Sequence, residues 1–133
     1  MKALLITMVA GLAFALSGCL SPKTSGSSVE KGRLIIEDAS FALNLSVERD
    51  AMERTPEGLL HVQVDVQNTN QRDYNCQYRF QWFTKDGMLI THERSQWRPL
   101  LMHGREKTVF EAVSTVKGAE DFRLVMRRSE EVK

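Results

Sequence analysis

The chain has 133 residues, with 18 Lys and Arg against 17 Asp and Glu and a formal net charge of +1. That length suits one domain of ordinary size. The near-balance of charge excludes the strongly basic face of a nucleic-acid-binding protein and argues against a polybasic grip on lipid headgroups, so membrane contact is expected from a lipid alone.

Lys2 and the apolar run from Ala3 to Leu16 read as an export signal. The run closes in Leu16-Ser17-Gly18-Cys19, which looks like a bacterial lipobox. Small residues at Ser17 and Gly18 let the backbone lie extended in a peptidase groove, and Cys19 supplies the thiol that takes a diacylglyceryl group. The expected mature chain is cut between Gly18 and Cys19, which carries covalent lipid and is acylated on its new amine. No other cofactor is implied. A transmembrane helix needs about 20 predominantly apolar residues, and Ser17, Gly18, Ser21, Pro22 and Lys23 end this run early. Buried acyl methylenes contribute about 0.8 kcal/mol each, so two or more chains hold a protein firmly. Leu20 stands where an aspartate would resemble the inner-membrane retention signal, which favours the outer membrane with the domain facing the periplasm. The alternative is an ordinary secretory leader and a free cysteine.

With 1–18 as the cleaved leader, 19–32 reads as lipidated cysteine and linker. Its small polar residues cannot build a core and give a tether of about 15–20 Å random-coil reach. Residues 33–128 carry strand signals. Leu34 to Ile36 is a short apolar run, and Phe41, Leu43, Leu45 and Val47 alternate with Ala42, Asn44 and Ser46. The pattern allows a brief helical turn over 50–54. Leu60, Val62, Val64 and Val66 alternate with polar residues, the clearest period of two in the chain. A turn-rich stretch from Asn68 to Asp73 leads into Tyr74 to Phe83, whose apolar face is Tyr74, Cys76, Tyr78, Phe80 and Trp82. Asp86-Gly87 signals a hairpin returning through Met88 to His92. Thr108 to Val113 and Phe122 to Arg127 supply two more strands, and residues 129–133 make a polar tail. Short strands at this spacing, with no sustained helical period, predict an all-β fold: an immunoglobulin-like antiparallel sandwich of about seven strands. Trp82 is expected across its core. Cys76, unpaired once Cys19 is lipidated, is expected to act as a small core hydrophobe.

Catalytic and metal chemistry find little support. His61, His92 and His103 lie in no metal-ligand spacing, and no Cys-x-x-Cys or His-Glu-x-x-His accompanies them. No serine sits in Gly-x-Ser-x-Gly, and Asp65, Asp86, Glu93 and Glu106 are scattered. A hydrolase is the least favoured class, and no enzyme is expected. A binding module fits better. Trp97 and Arg98 beside Pro99 are residue types enriched at interface hot spots. The plainer reading, favoured by composition, has Trp97 closing one end of the sandwich while Pro99 guards an edge strand. A second candidate is one polar face carrying His61, Gln63, Asp65, Arg79 and Gln81, where an extended peptide or glycan would lie; ordinary solvated sheet is its plain counterpart. The expectation is a non-catalytic adaptor that binds an envelope protein, with Trp97, Arg98, Gln63 and Arg79 as candidate contacts. The alternative is a small-molecule or glycan carrier, which needs a cavity.

Leu59-Leu60-His61-Val62-Gln63-Val64-Asp65-Val66-Gln67-Asn68, then Tyr78-Arg79-Phe80-Gln81-Trp82-Phe83 with Asp86-Gly87, then Trp97 and Ala119-Glu120-Asp121-Phe122-Arg123-Leu124, follow one another in a recognisable order. From roughly Leu34 to Arg127 the chain resembles the YcfL family of small bacterial lipoproteins. The resemblance implies an immunoglobulin-like sandwich in the periplasm of a Gram-negative cell and carries over no catalytic residue. Members are often encoded near a lipoprotein activator of peptidoglycan synthesis, which implies envelope work by association. A proline commonly precedes the closing segment in that family; Ser114-Thr115-Val116-Lys117 stands here.

Overall fold

Alternating apolar side chains can be buried only by pairing strands into sheets and facing the sheets together. The computed structural model, which describes residues 28–90 and 96–129, does this with eight strands and one helical turn. In chain order they are β1 (Val29–Lys31), β2 (Leu34–Ile36), α1 (Ala39–Ala42), β3 (Leu45–Arg54), β4 (Leu60–Asn68), β5 (Tyr74–Phe83), β6 (Arg98–Met102), β7 (Lys107–Val113) and β8 (Asp121–Arg128). One sheet has the order β1-β2-β8-β5-β6 and the other β3-β4-β7. The fold is an all-β sandwich.

The core lies between the sheets. Val62, Val64 and Val66 of β4 are buried, as are Phe80 and Trp82 of β5 and Phe122, Leu124 and Met126 of β8. Trp82 stacks near Phe80 at 6.0 Å between ring centroids and lies 6.5 Å from Phe122, which meets its expected place across the core. Burying each such side chain is worth about 1.5–3 kcal/mol. Cys76 is also fully buried, as expected.

Several expectations need correction. The pairing is not wholly antiparallel, because β2 runs parallel to β8 with Leu34 opposite Leu124. The five-stranded sheet begins inside the span read as linker, at Val29. The alternation from Phe41 is broken by α1: the Asp38 carboxylate accepts hydrogen bonds from the Ser40 and Phe41 backbone N–H groups. That N-cap winds one turn, which buries both Phe41 and Ala42 and leaves Leu43 83% exposed. The helical turn allowed over 50–54 is absent. A turn in which Thr55 N–H donates to the Leu59 carbonyl, with Gly58 at φ 85°, folds β3 onto β4 and pairs Asp50 with Val64 through Arg54 with Leu60. The return strand after Asp86-Gly87 shrinks to a bridge between Phe83 and Leu89 and an Ile90 N–H bond to the Trp82 carbonyl. His92 lies outside the described residues.

The turns at one end are locked together. Asn68 is fully buried. Its amide donates to the Arg72 and His103 carbonyls at 2.8 and 3.0 Å, and its oxygen accepts from Asn70 N–H. Asp73 accepts from Gly104 N–H at 2.9 Å. Gly104 passes so close to the neighbouring turn that a Cβ there would sit 2.0 Å from the Gln71 carbonyl oxygen. Gly104→Ala is therefore expected to cost about 1–3 kcal/mol, as overpacking does. The opposite sign is expected at Thr108, whose buried Oγ1 has no hydrogen-bond partner among the described residues. Thr108→Val removes an unpaired hydroxyl at almost constant shape and should stabilise by about 1 kcal/mol. Urea unfolding of both variants checks the pair; unchanged midpoints would refute either assignment.

Candidate functional site

Along β5 the inward places are taken by Cys76, Tyr78, Phe80 and Trp82, so Gln77, Arg79 and Gln81 project from the outer face of the five-stranded sheet. On β8 the same alternation sends Arg123, Val125 and Arg127 outward. Gln77 pairs with Arg127 and Arg79 with Val125, which makes Arg79 and Arg127 diagonal neighbours, roughly 7–8 Å apart. Trp97, just before β6, covers both. Its ring centroid lies 4.4 Å from the Arg79 guanidinium carbon and 3.9 Å from that of Arg127. Arg127 Nε also donates to Gln77 Oε1 at 2.8 Å.

Among the described residues no carboxylate pairs with Arg79, Arg98 or Arg127; the ion-paired arginines are Arg33, Arg54 and Arg123. Arg79 Nε is buried without an acceptor. Each stacked guanidinium gains about 0.5–2 kcal/mol from the indole face. Two cations about 8 Å apart repel by about 2 kcal/mol at an effective dielectric near 20. Stacking thus offsets the repulsion and holds the cluster without neutralising it.

Beside this cluster a groove of about 610 Å³ opens between the two sheets, a size within the range of binding clefts. It opens because β6 pairs with β5 only as far as Arg98 opposite Tyr78, while β5 runs on to Phe83. On the other side β7 is an edge strand, bonded to β4 alone. Tyr78, Phe80 and Ala112 line it, together with Arg79, Trp97 and Arg98.

Trp97, Arg98 and Arg79 are therefore brought together, whereas Gln63 is not. The single polar face expected to join Gln63 with Arg79 does not exist. Gln63 projects from β4 on the outer side of the three-stranded sheet, and Arg79 from β5 on the outer side of the other. Alternation separates inward from outward and says nothing of which sheet a strand joins. Gln63 instead donates to Asp65 at 2.9 Å. Trp97 lies over the sheet face and does not close an end, while Pro99 does sit on an edge strand. Arg127, the last residue of the strand expected from Phe122, lies on β8 and joins Trp97, a role its place in the strand did not show. Gly18, Cys19, His92 and Glu93 lie outside the described residues.

The three-stranded face holds a second cluster. His61 Nδ1 lies 3.0 Å from Glu53 on β3, and its Nε2 makes a short hydrogen bond with Glu111 on β7. Both ring nitrogens are engaged on opposite sides, so neither is free to ligate or abstract a proton. The hydrogen bonds to Glu53 and then Glu111 raise the His61 pKa above its ordinary value. His103 Nδ1 is 3.4 Å from Asp73. Among the described residues no three His, Cys, Asp or Glu side chains are placed to hold a metal ion, and no helix is long and apolar enough to cross a membrane.

The family model described as a protein of unknown function, DUF1425, matches residues 32–128. The chain belongs to the DUF1425 family. Two crystal structures share its fold. A DUF1425 member from Shewanella sp. pv-4 is 20% identical with a TM-score of 0.58, over 80% of this chain and 93% of that one. The Campylobacter jejuni protein cj0090 is 16% identical with a TM-score of 0.59, over 74% of this chain and all of that one. At these identities the likeness shows the fold alone. No curated protein matches the chain in sequence.

Two outcomes follow from the titrating groups. Because the folded His61 pKa is raised, its stabilising contribution is complete below the ordinary value of 6.5 and is lost as pH rises through the folded value. The thermal midpoint should therefore fall as pH rises above 6.5, and His61→Gln should flatten that fall; equal slopes in both proteins would refute the assignment. Burial pushes the Cys76 thiol up to about 11. With roughly one thiolate in ten thousand at pH 7, Cys76 should resist a disulfide reagent until the protein is unfolded, and rapid labelling of the native state would contradict it.

Proposed function

We propose that this DUF1425 chain is a lipoprotein of the YcfL type, anchored in the outer membrane through Cys19 and facing the periplasm, where it binds another envelope protein without catalysis. The only prosthetic group in this reading is the lipid on Cys19. The observation that carries the binding role is the groove between β5–β6 and the edge strand β7, lined by Tyr78, Phe80 and Arg98. An unpaired strand edge beside a cleft lined by both aromatic and charged side chains suits an extended segment of a partner chain. Backbone hydrogen bonds supply affinity there, and alternate side chains enter the cleft. A tether confines the groove near the membrane and raises its effective concentration for envelope partners. The family association with peptidoglycan synthesis supports an envelope role of this kind.

The test is photo-crosslinking in cells, with probes at Val113 and Pro99 in the groove and at Gln63 on the opposite face. A discrete adduct from the groove probes, lost in Val113→Glu and absent from the Gln63 probe, is expected. Val113 is 47% exposed, so the charge should be tolerated by the fold. No adduct from the groove would overturn the adaptor reading and move the weight to a small ligand. The anchor has its own measurement, the thiol count of the denatured chain. One reactive thiol, Cys76, is expected, whereas two would return Cys19 to an ordinary secreted cysteine.

A further inference from the structure

Arg79 and Trp97 also line the groove, yet with Arg127 they form a cluster on the outer face of the five-stranded sheet that has a chemistry of its own. Its sheet face is cationic. Arg79, Arg123 and Arg127 project outward, and the carboxylates near them, Asp121 and Glu30, are both engaged by Arg123. The three-stranded face is mixed by contrast, with Glu53, Asp65 and Glu111 set among Arg49, His61 and Lys107. The cationic face also carries exposed apolar surface: Leu101 of β6 is 47% exposed and lies on the same outer side, opposite Asn75. Arginine forks suited to phosphate oxygens, an indole and an exposed leucine on one flat surface match the interfacial zone of a bilayer.

The course of the chain adds a second, independent observation. Val29 pairs with Ile36, Ile36 with Met126, Met126 with Tyr78 and Tyr78 with Arg98. This single row crosses the five-stranded sheet at the level of the cluster, and the described chain begins at its edge. Two strand spacings, roughly 10 Å, separate β1 from β8 and three, roughly 14 Å, separate it from β5. Residues 20–28 join that edge to Cys19, and nine residues span at most about 30 Å. The sheet edge therefore stays within about 30 Å of the anchor.

We propose that the Arg79–Trp97–Arg127 cluster docks on the phosphates of the membrane to which the chain is tethered, laying the outer face of the five-stranded sheet against the bilayer. The inference rests on the anchor reading and revises the expectation that the lipid alone makes the membrane contact.

The full chain is reconstituted into phosphatidylcholine vesicles with and without phosphatidylglycerol, some lipids carrying bromine close to the headgroup. Bromine quenches tryptophan only at near contact. Trp82 is 4% exposed in the core, so the signal reports Trp97. Quenching of Trp97 in the anionic vesicles is expected. It should be lost in Arg79→Gln/Arg127→Gln and at about 0.5 M salt, where screening acts within about 4 Å. Leu101→Asp, at an exposed position, should reduce it by a route that leaves the cluster intact, and keeps the test alive if the double variant does not fold. A chain that floats with the vesicles yet shows no quenching overturns the docking and leaves the anchor standing. A chain that does not float overturns the anchor and the docking with it. Unaltered quenching in the double variant, together with loss of its protein adduct, assigns the cluster to an acidic partner and also overturns the proposal.

Discussion

The alternation of β5 is the constraint on which the rest depends. It bonds to β8 along most of its length and to β6 along its first half. Every inward side chain from Cys76 to Trp82 fills the core, so every outward one is committed to a single surface. Burial of Cys76, Phe80 and Trp82 on the inside therefore places Arg79 on the outside, and slipping the register by one residue would reverse both sets. The core energetics of one face thus fix the electrostatics of the other. The position of Arg79 is held by several kcal/mol of apolar burial it takes no part in.

The same strand explains the opening at the sandwich edge. A sheet edge is closed by a neighbour, and β6 covers only the part of β5 from Tyr74 to Tyr78. Pro99 within β6 has no backbone donor, which suits an edge strand. Beyond Tyr78 the two sheets part, and the inner face of β5 meets β7 across a groove that the core leaves unfilled. Packing and function are linked here by a shortage of neighbouring strand.

What was legible in the sequence follows from the range of the interactions involved. The strands β4, β5, β7 and β8 show in the period of two because each buries one face along several residues. Trp82 and Cys76 were legible as core for the same reason. The turn of α1 was not, since one Asp38 carboxylate redirects Phe41 against its apparent alternation. The short β1 and β6 carry too few residues for a period. The candidate site was only half visible. Residue types singled out Trp97, Arg98 and Arg79, yet the stacking of Arg127 on Trp97 depends on a register between β5 and β8 that no local pattern encodes. The false union of Gln63 with Arg79 has the same origin, as does His61, whose carboxylate partners come from two other strands.

Charge gives the clearest case of a total that misleads. A chain with nearly equal numbers of acids and bases reads as indifferent to surfaces, but interactions over a few ångströms respond to neighbours and not to sums. On the three-stranded face Glu53 and Glu111 share His61 as a common partner, whereas on the five-stranded face Arg79 and Arg127 share an indole. A protonated imidazole between two carboxylates is satisfied where it stands. Two guanidiniums on one ring are held in place yet keep their full charge for a third party. The fold has thus built one face where a cation sits between its own carboxylates, and one where two guanidiniums meet no carboxylate among the described residues.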